Sequence, residues 1–295
     1  MGSMSSSQGR EAAPAAADPI AADWPAICRR VVAEHERIFA EVSGVSARTE
    51  YEGIGEGGDF SLVIDRRCED AVFAELERLA EQGHSFTAVS EERGEVELGE
   101  PGSPARVVVD PIDGSLNARR TIPSHSLSIA VASGDSMADV VFGYVYDFGA
   151  GEEFVARRGA GAQLDGEPVR ARHQHSDRAL EIVGVEAAKP ELLLPMVESL
   201  QGDAYRLRVI GSLAICLSYL ACGRFDGMLG LREARSVDVA AAQLIARESG
   251  ALVSFGERDP EAAALGLDER YPVAGAVTEQ GLGIVLRAMA AGEGS

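Results

Sequence analysis

The chain has 295 residues, 46% of them apolar, enough to fill one large core or two smaller ones. Its 47 acidic against 27 basic side chains leave a formal charge of -20, which argues against a lysine- and arginine-based grip on nucleic acid. The same charge implies that any anionic substrate must be held through bound cations or local arginines.

Met1–Ser3 ahead of a second methionine resembles a cloning remnant, and the Ser/Ala/Pro-rich stretch to about Asp18 has no periodicity, so residues 1–18 are expected to be a disordered tail. From Pro25 to Val45, Ile27, Val31, Val32, Ile38, Phe39 and Val42 recur at helical spacing. YEGIGEGGDFS, with its glycines and acids, predicts a mobile loop running into a short strand. IDRRCEDAVFAELERLAEQ resumes a helix with Asp65 near its start. A strand FTAVS follows, then the acidic EERGE and a proline-containing linker. ARVVVD, HSLSIAVAS and DVVFGYVYD predict strands, and GEEFVARRGAGAQLDGEPVRA a meander.

After His175 strands and helices begin again: ALEIVGVE, ELLLPMVESLQG, YRLRVIG, SLAICLSYLACG, RFDGMLGL and VDVAAAQLIARESG, the last ending on Gly250. The expected organisation is an α+β chain of two lobes, 19–175 and 176–295. Four cysteines without C-x-x-C spacing suggest a reduced, cytoplasmic setting, and no apolar run reaches the ~18 residues of a membrane span.

RVVVDPIDGSLN carries the chemistry. Turn formation and helix capping explain Asp110 and Asp113 when they are taken alone. Glu91 and Glu92 after another strand, and Asp238 at the start of a helix, make a shared cation site the better reading. An all-oxygen donor set suits Mg²⁺ or Mn²⁺ rather than zinc. Gly114, Ser115 and Leu116 then begin a helix whose free N–H groups can hold a phosphate.

With GDFSLVIDRRCED, SEERG, VVVDPIDGSLN, VIGSLAICLSYLACGRFDG and VDVAAAQLIARESG in this order, the sequence resembles the inositol monophosphatase and fructose-1,6-bisphosphatase superfamily of magnesium-dependent phosphatases. It is most similar to its archaeal-type dual-activity members. The resemblance covers roughly Ile27 to Ser254. It implies a layered α/β/α/β/α sandwich, usually a homodimer, acting on a small phosphorylated substrate with two or three Mg²⁺ ions.

By position it also implies roles. Glu92, Asp110 and the Ile112 carbonyl would hold one metal, and Asp110, Asp113 and Asp238 a second; Glu92 also faces a third, which the loop residue Asp59 could reach. Asp65 and Ser115 would activate water, while Gly114, Ser115, Gly211 and Ser212 would contact phosphate or substrate. Ser90 and Val237 stand where the family commonly has Gly and Trp. Gly230 and Leu231 stand where inositol phosphatases place a glutamate, so Arg208 and Arg232 are expected to rim the pocket. Two alternatives remain: a phosphatase of 3′-phosphoadenosine 5′-phosphate, and a non-catalytic metal- or phosphate-binding regulator on the same fold.

Overall fold

A computed structural model describes residues 18–49, 51–54, 60–173, 177–187 and 189–293. Asp18, assigned from sequence to the tail, instead caps a short 3₁₀ turn by accepting from the Ile20 amide. α1 (Trp24–Glu41) starts on Asp23, which accepts the Ala26 amide, and its apolar stripe faces α3 (Val63–Glu81); between them lies the one-turn helix α2 (Val45–Arg48). Of the stretch expected as a loop running into a short strand, β2 (Phe60–Leu62) is the strand, and it pairs antiparallel with β1 (Tyr51–Ile54), where loop was expected; Asp59 lies outside the described residues.

An eight-stranded sheet comprises β3 (Phe86–Ser90), β4 (Gly94–Leu98), β5 (Arg106–Asp113), β6 (Ser126–Ala132), β7 (Val140–Asp147), β8 (Glu152–Arg157), β9 (Gly161–Leu164) and β10 (Glu167–Val169). Its spatial order is β10-β9-β8-β7-β6-β5-β3-β4, and only β3 and β5 run parallel. β4 was missed in sequence because GEVEL, at the sheet edge, buries little of its length. α4 (Ser115–Arg119) leaves the end of β5.

The second sheet has the order β12 (Ala204–Arg208), β11 (Leu180–Glu186), β13 (Gly227–Gly230), β17 (Ala274–Ala276) and β15 (Leu252–Ser254). A small ladder joins β14 (Ala234–Arg235) to β16 (Arg270–Tyr271). α5 (Pro190–Ser199) and α8 (Glu279–Glu293) cover the outer face, while α6 (Leu213–Ala221) and α7 (Ser236–Glu248) fill the space between the sheets. The layers are therefore α1/α3, eight strands, α6/α7, five strands and α5/α8, the α/β/α/β/α sandwich.

The boundary placed at 175/176 falls on residues outside those described. The central core draws on both sides of it, joining Val89, Val108 and Phe154 to Leu217, Val239 and Ala241. α7 lies so close to the eight-stranded sheet that a Cβ at Gly143 of β7 would meet the Ala241 carbonyl at 2.6 Å. Its alanines, Ala240 to Ala242 and Ala246, are fully buried and leave room for that approach.

Candidate active site

The site begins with an irregularity in β5. Alternation would send Asp110 and Asp113 to opposite faces of the sheet. Instead Asp110 pairs with Ser128 and Asp113 with Ser126, so three steps on β5 match two on β6. This bulge turns both carboxylates to one face, and Pro111, which has no N–H for the ladder, sits inside it.

The bulged end is held from a distant part of the chain. Asp113 accepts from the Ser212 hydroxyl, from the Ala214 amide at 2.8 Å and from the Ser126 hydroxyl at 3.4 Å, at the start of α6 and on β6. A carboxylate at a helix N-terminus is favoured by the uncommitted N–H groups there. Ser212 is also the N-cap of α6, accepting from Ile215, and is 1% exposed. Its hydroxyl is thus engaged by Asp113 and α6, where a substrate contact was expected. Gly114 has φ +89°, and a Cβ on it would lie 2.8 Å from the Gly211 carbonyl and 3.0 Å from that of Ser124. Only glycine fits this turn into α4. Asn117 and Ala118 donate to the Gly114 carbonyl, leaving Ser115 and Leu116 at the first-turn positions that have no acceptor within a helix.

These elements line a cavity of about 400 Å³. Eight carboxylates reach its wall against two guanidiniums, those of Arg232 and Arg235. Asp110, Asp113 and Asp238 form its centre, with one oxygen from each within 4.8 Å of the others. Burial, then the charges of Asp113 and Asp238, pushes Asp110 well above the usual carboxylate range. Burial and Asp238 push Asp113 up to about 7. Asp238 is also raised by burial, although the Arg235 charge and amide pull it the other way; that amide donates to Asp238 at 3.0 Å. Three crowded, desolvated carboxylates favour bound protons or a cation, and an all-oxygen donor set fits a hard divalent ion. Asp110, Asp113 and Asp238 are the residues placed to hold it, with Ile112 and Glu92 in the same wall.

The turn after β3 is fixed from beneath. Ser90, where the family commonly has glycine, donates its hydroxyl to the buried Glu69 of α3, which also accepts the Arg93 amide at 3.2 Å. This sets the direction of Glu91 and Glu92. Glu91 pairs with Arg235, and its charge reaches Asp110.

Of the candidate site residues within those described, Asp65, Glu92, Asp110, Ile112, Asp113, Gly114, Ser115, Gly211, Arg232 and Asp238 line the cavity, and Ser212 is not among its lining. Arg208 ends the edge strand β12, is exposed, and donates to the neighbouring Leu207 carbonyl at 2.8 Å. Arg208 is not among the residues lining the cavity. Sequence reasoning missed Glu186, Glu233 and Arg235, all in the wall. Glu186 is 5% exposed and accepts both the Ile210 and Gly211 amides. Its signal was present: like Asp110, it ends an apolar strand on an acid.

A five-layer sandwich with carboxylates gathered at strand and helix ends, beside a glycine-started helix, is the architecture of metal-dependent phosphatases. The chain belongs to the inositol monophosphatase family, whose profile matches residues 28–282. It is 32% identical over 240 residues to a fructose-1,6-bisphosphatase/inositol-1-monophosphatase of Methanothermobacter thermautotrophicus, covering 78% of this chain and 84% of the relative. It is 33% identical over 204 residues to a Nus factor SuhB of Pseudomonas aeruginosa, covering 66% and 72%. A solved structure described as an inositol monophosphatase-fructose 1,6-bisphosphatase superposes with a TM-score of 0.78 at 26% identity, covering 90% of this chain and all of that one.

Proposed function

We propose that the protein hydrolyses the phosphomonoester of a small sugar or polyol, of the inositol monophosphate or fructose 1,6-bisphosphate class, by attack of water on phosphorus. The observation that carries this is the Asp110, Asp113 and Asp238 cluster sharing one cavity with the Gly114 helix start. Bound Mg²⁺, two or three ions, supplies Lewis acidity and lowers the pKa of water. Asp65 and Ser115 orient the water and take up its proton. The N–H groups from Gly114 to Leu116 hold the phosphate oxygens, and Arg232 faces the remainder of the substrate. Glu186 and Glu233 offer acceptors for substrate hydroxyls in place of the glutamate that inositol phosphatases carry at the position of Gly230.

The same reading includes a cytoplasmic homodimer whose lobes are 19–175 and 176–295, the second lending Asp238 to the site of the first. Free cysteines at 28, 68, 216 and 222 support a reducing compartment. No helix among the described residues is long and apolar enough to cross a membrane. Among the described residues lining the cavity none is aromatic, which supports a sugar or polyol over a nucleotide base that would need a stacking surface. The regulator reading draws on the Nus factor name of the Pseudomonas relative. Phosphate release from inositol 1-phosphate, fructose 1,6-bisphosphate and 3′-phosphoadenosine 5′-phosphate, with and without Mg²⁺, tests all three. Absence of Mg²⁺-dependent turnover on every substrate would overturn the enzyme reading.

A further inference from the structure

His35 of α1 is fully buried, and both its ring nitrogens face carbonyl oxygens: Nδ1 lies 3.0 Å from Val31 O and Nε2 3.2 Å from Pro111 O. Burial pushes the imidazole down to about 4, so at neutral pH it carries one N–H for two acceptors. The Val31 carbonyl already accepts the His35 amide within the helix. Pro111 lies in the β5 bulge, between the paired positions Asp110 and Asp113. A proton on Nε2, donated to Pro111, is the tautomer that would tie α1 to the bulge. The ring is clamped in place: it stacks on Phe148 at 5.8 Å with an interplanar angle of 3°, and Phe148 stacks in turn on His125 at 5.5 Å.

We infer that His35 is a positioning residue for the metal centre, its Nε2–H bond to the Pro111 carbonyl fixing the bulge that brings Asp110 and Asp113 to one face. The Pro111 carbonyl belongs to the peptide unit whose N–H, that of Ile112, donates to the Asp110 carboxylate at 2.9 Å, so a turn of that unit moves the donor that holds Asp110. The effect falls on the cation, because His35 contacts the back of the bulge and is not among the residues lining the cavity. This rests on the reading that Asp110 and Asp113 hold a divalent ion.

The test compares wild type, His35→Phe, which keeps the stack on Phe148 but has no donor, and His35→Gln, whose amide N–H takes the place of Nε2–H. Mg²⁺ affinity is measured by calorimetry, and KM and kcat by phosphate release. We expect His35→Phe to weaken Mg²⁺ binding at least fivefold and to lower kcat at subsaturating Mg²⁺. KM for substrate at saturating Mg²⁺ should stay within twofold, and His35→Gln should recover most of the affinity. In the wild type, long-range ¹H–¹⁵N correlation should show the Nε2–H tautomer, a readout that needs no folded variant and no metal. An Nδ1–H tautomer, equal Mg²⁺ affinity in His35→Phe and wild type, or no recovery in His35→Gln overturns the inference alone. A wild type that takes up no Mg²⁺ overturns the metal reading and the inference with it.

Discussion

Ser212 and Asp113, 99 positions apart, are joined by a hydrogen bond from hydroxyl to carboxylate. The bond ties the cap of α6 to the end of β5, so Asp113 is oriented before any ligand arrives. Asp113→Asn should keep the fold, since an amide oxygen still accepts from Ser212 and Ala214, and should lose more than tenfold in kcat/KM, at least ~1.4 kcal/mol of transition-state stabilisation. Phosphate release together with circular dichroism checks both halves. Retention of more than a tenth of the activity removes Asp113 from the catalytic metal site.

The Asp113 contribution to the stability of the metal-free protein should fall as pH rises from about 4 through about 7, while His35, pushed down to about 4, contributes in the opposite sense over part of that window. Asp113 gives up its proton near 3.8 when unfolded and near 7 when folded. Between those values the folded chain holds more protons, so raising the pH favours unfolding. Asp110 and Asp238, also raised, act in the same direction. Thermal melts in a chelator across this window, wild type against Asp113→Asn, are the measurement, and a difference in melting temperature that does not change with pH would sink the account.

Mg²⁺ should reverse that trend, because it binds the deprotonated cluster of the folded chain. At a hundred times its Kd it should add about 2.7 kcal/mol. Ca²⁺ should also raise the melting temperature yet support little turnover, its coordination being less strict. Melting curves indifferent to millimolar Mg²⁺ would count against the site.

Gly114→Ala should be costly twice. A left-handed backbone costs a non-glycine residue about 1–2 kcal/mol, and the new methyl would press on the Gly211 and Ser124 carbonyls. Reduced melting temperature with a larger fractional loss of kcat is the expected pair of results. A variant as active as wild type would show that the turn is not part of the phosphate grip.

Specificity is read from two arginines with opposite placements. Arg232→Ala should lower kcat/KM for fructose 1,6-bisphosphate by roughly one to two orders of magnitude, the loss of a charge-assisted contact of about 1.5–3 kcal/mol, and should affect inositol 1-phosphate less. Arg208→Ala should leave both within about twofold, because Arg208 is outside the cavity wall. Equal losses on the two substrates in Arg232→Ala would remove it as a specificity determinant.

Local chemistry made much of this legible. Asp110-Pro-Ile-Asp113-Gly114 announces a turn, and apolar runs that end on acids mark strand ends. The bulge was not legible, because its register depends on β6, where Ser126 and Ser128 look like ordinary strand residues. The engagement of Ser212 with Asp113 was not legible, because family position cannot tell a hydroxyl facing substrate from one capping α6. Nor was the placement of Arg208 on an edge strand, which depends on strand order. β15, β16, β17 and α8 went unread: the strands are two or three residues long and carry little periodicity. His35 drew no notice, since a lone histidine on an amphipathic helix is identified only by what packs against it.

The close fit of α7 on Gly143 has a consequence for biosynthesis. The whole eight-stranded sheet is encoded before residue 170, yet the helix that seals its inner face and carries Asp238 is translated some seventy residues later. Until then the nascent chain exposes an apolar sheet face and two of its three clustered acids, Asp110 and Asp113. Cation affinity should therefore appear late and abruptly along a series of stalled, lengthening chains, at the point where α7 clears the ribosome, which makes metal uptake a marker of completed translation of the fold.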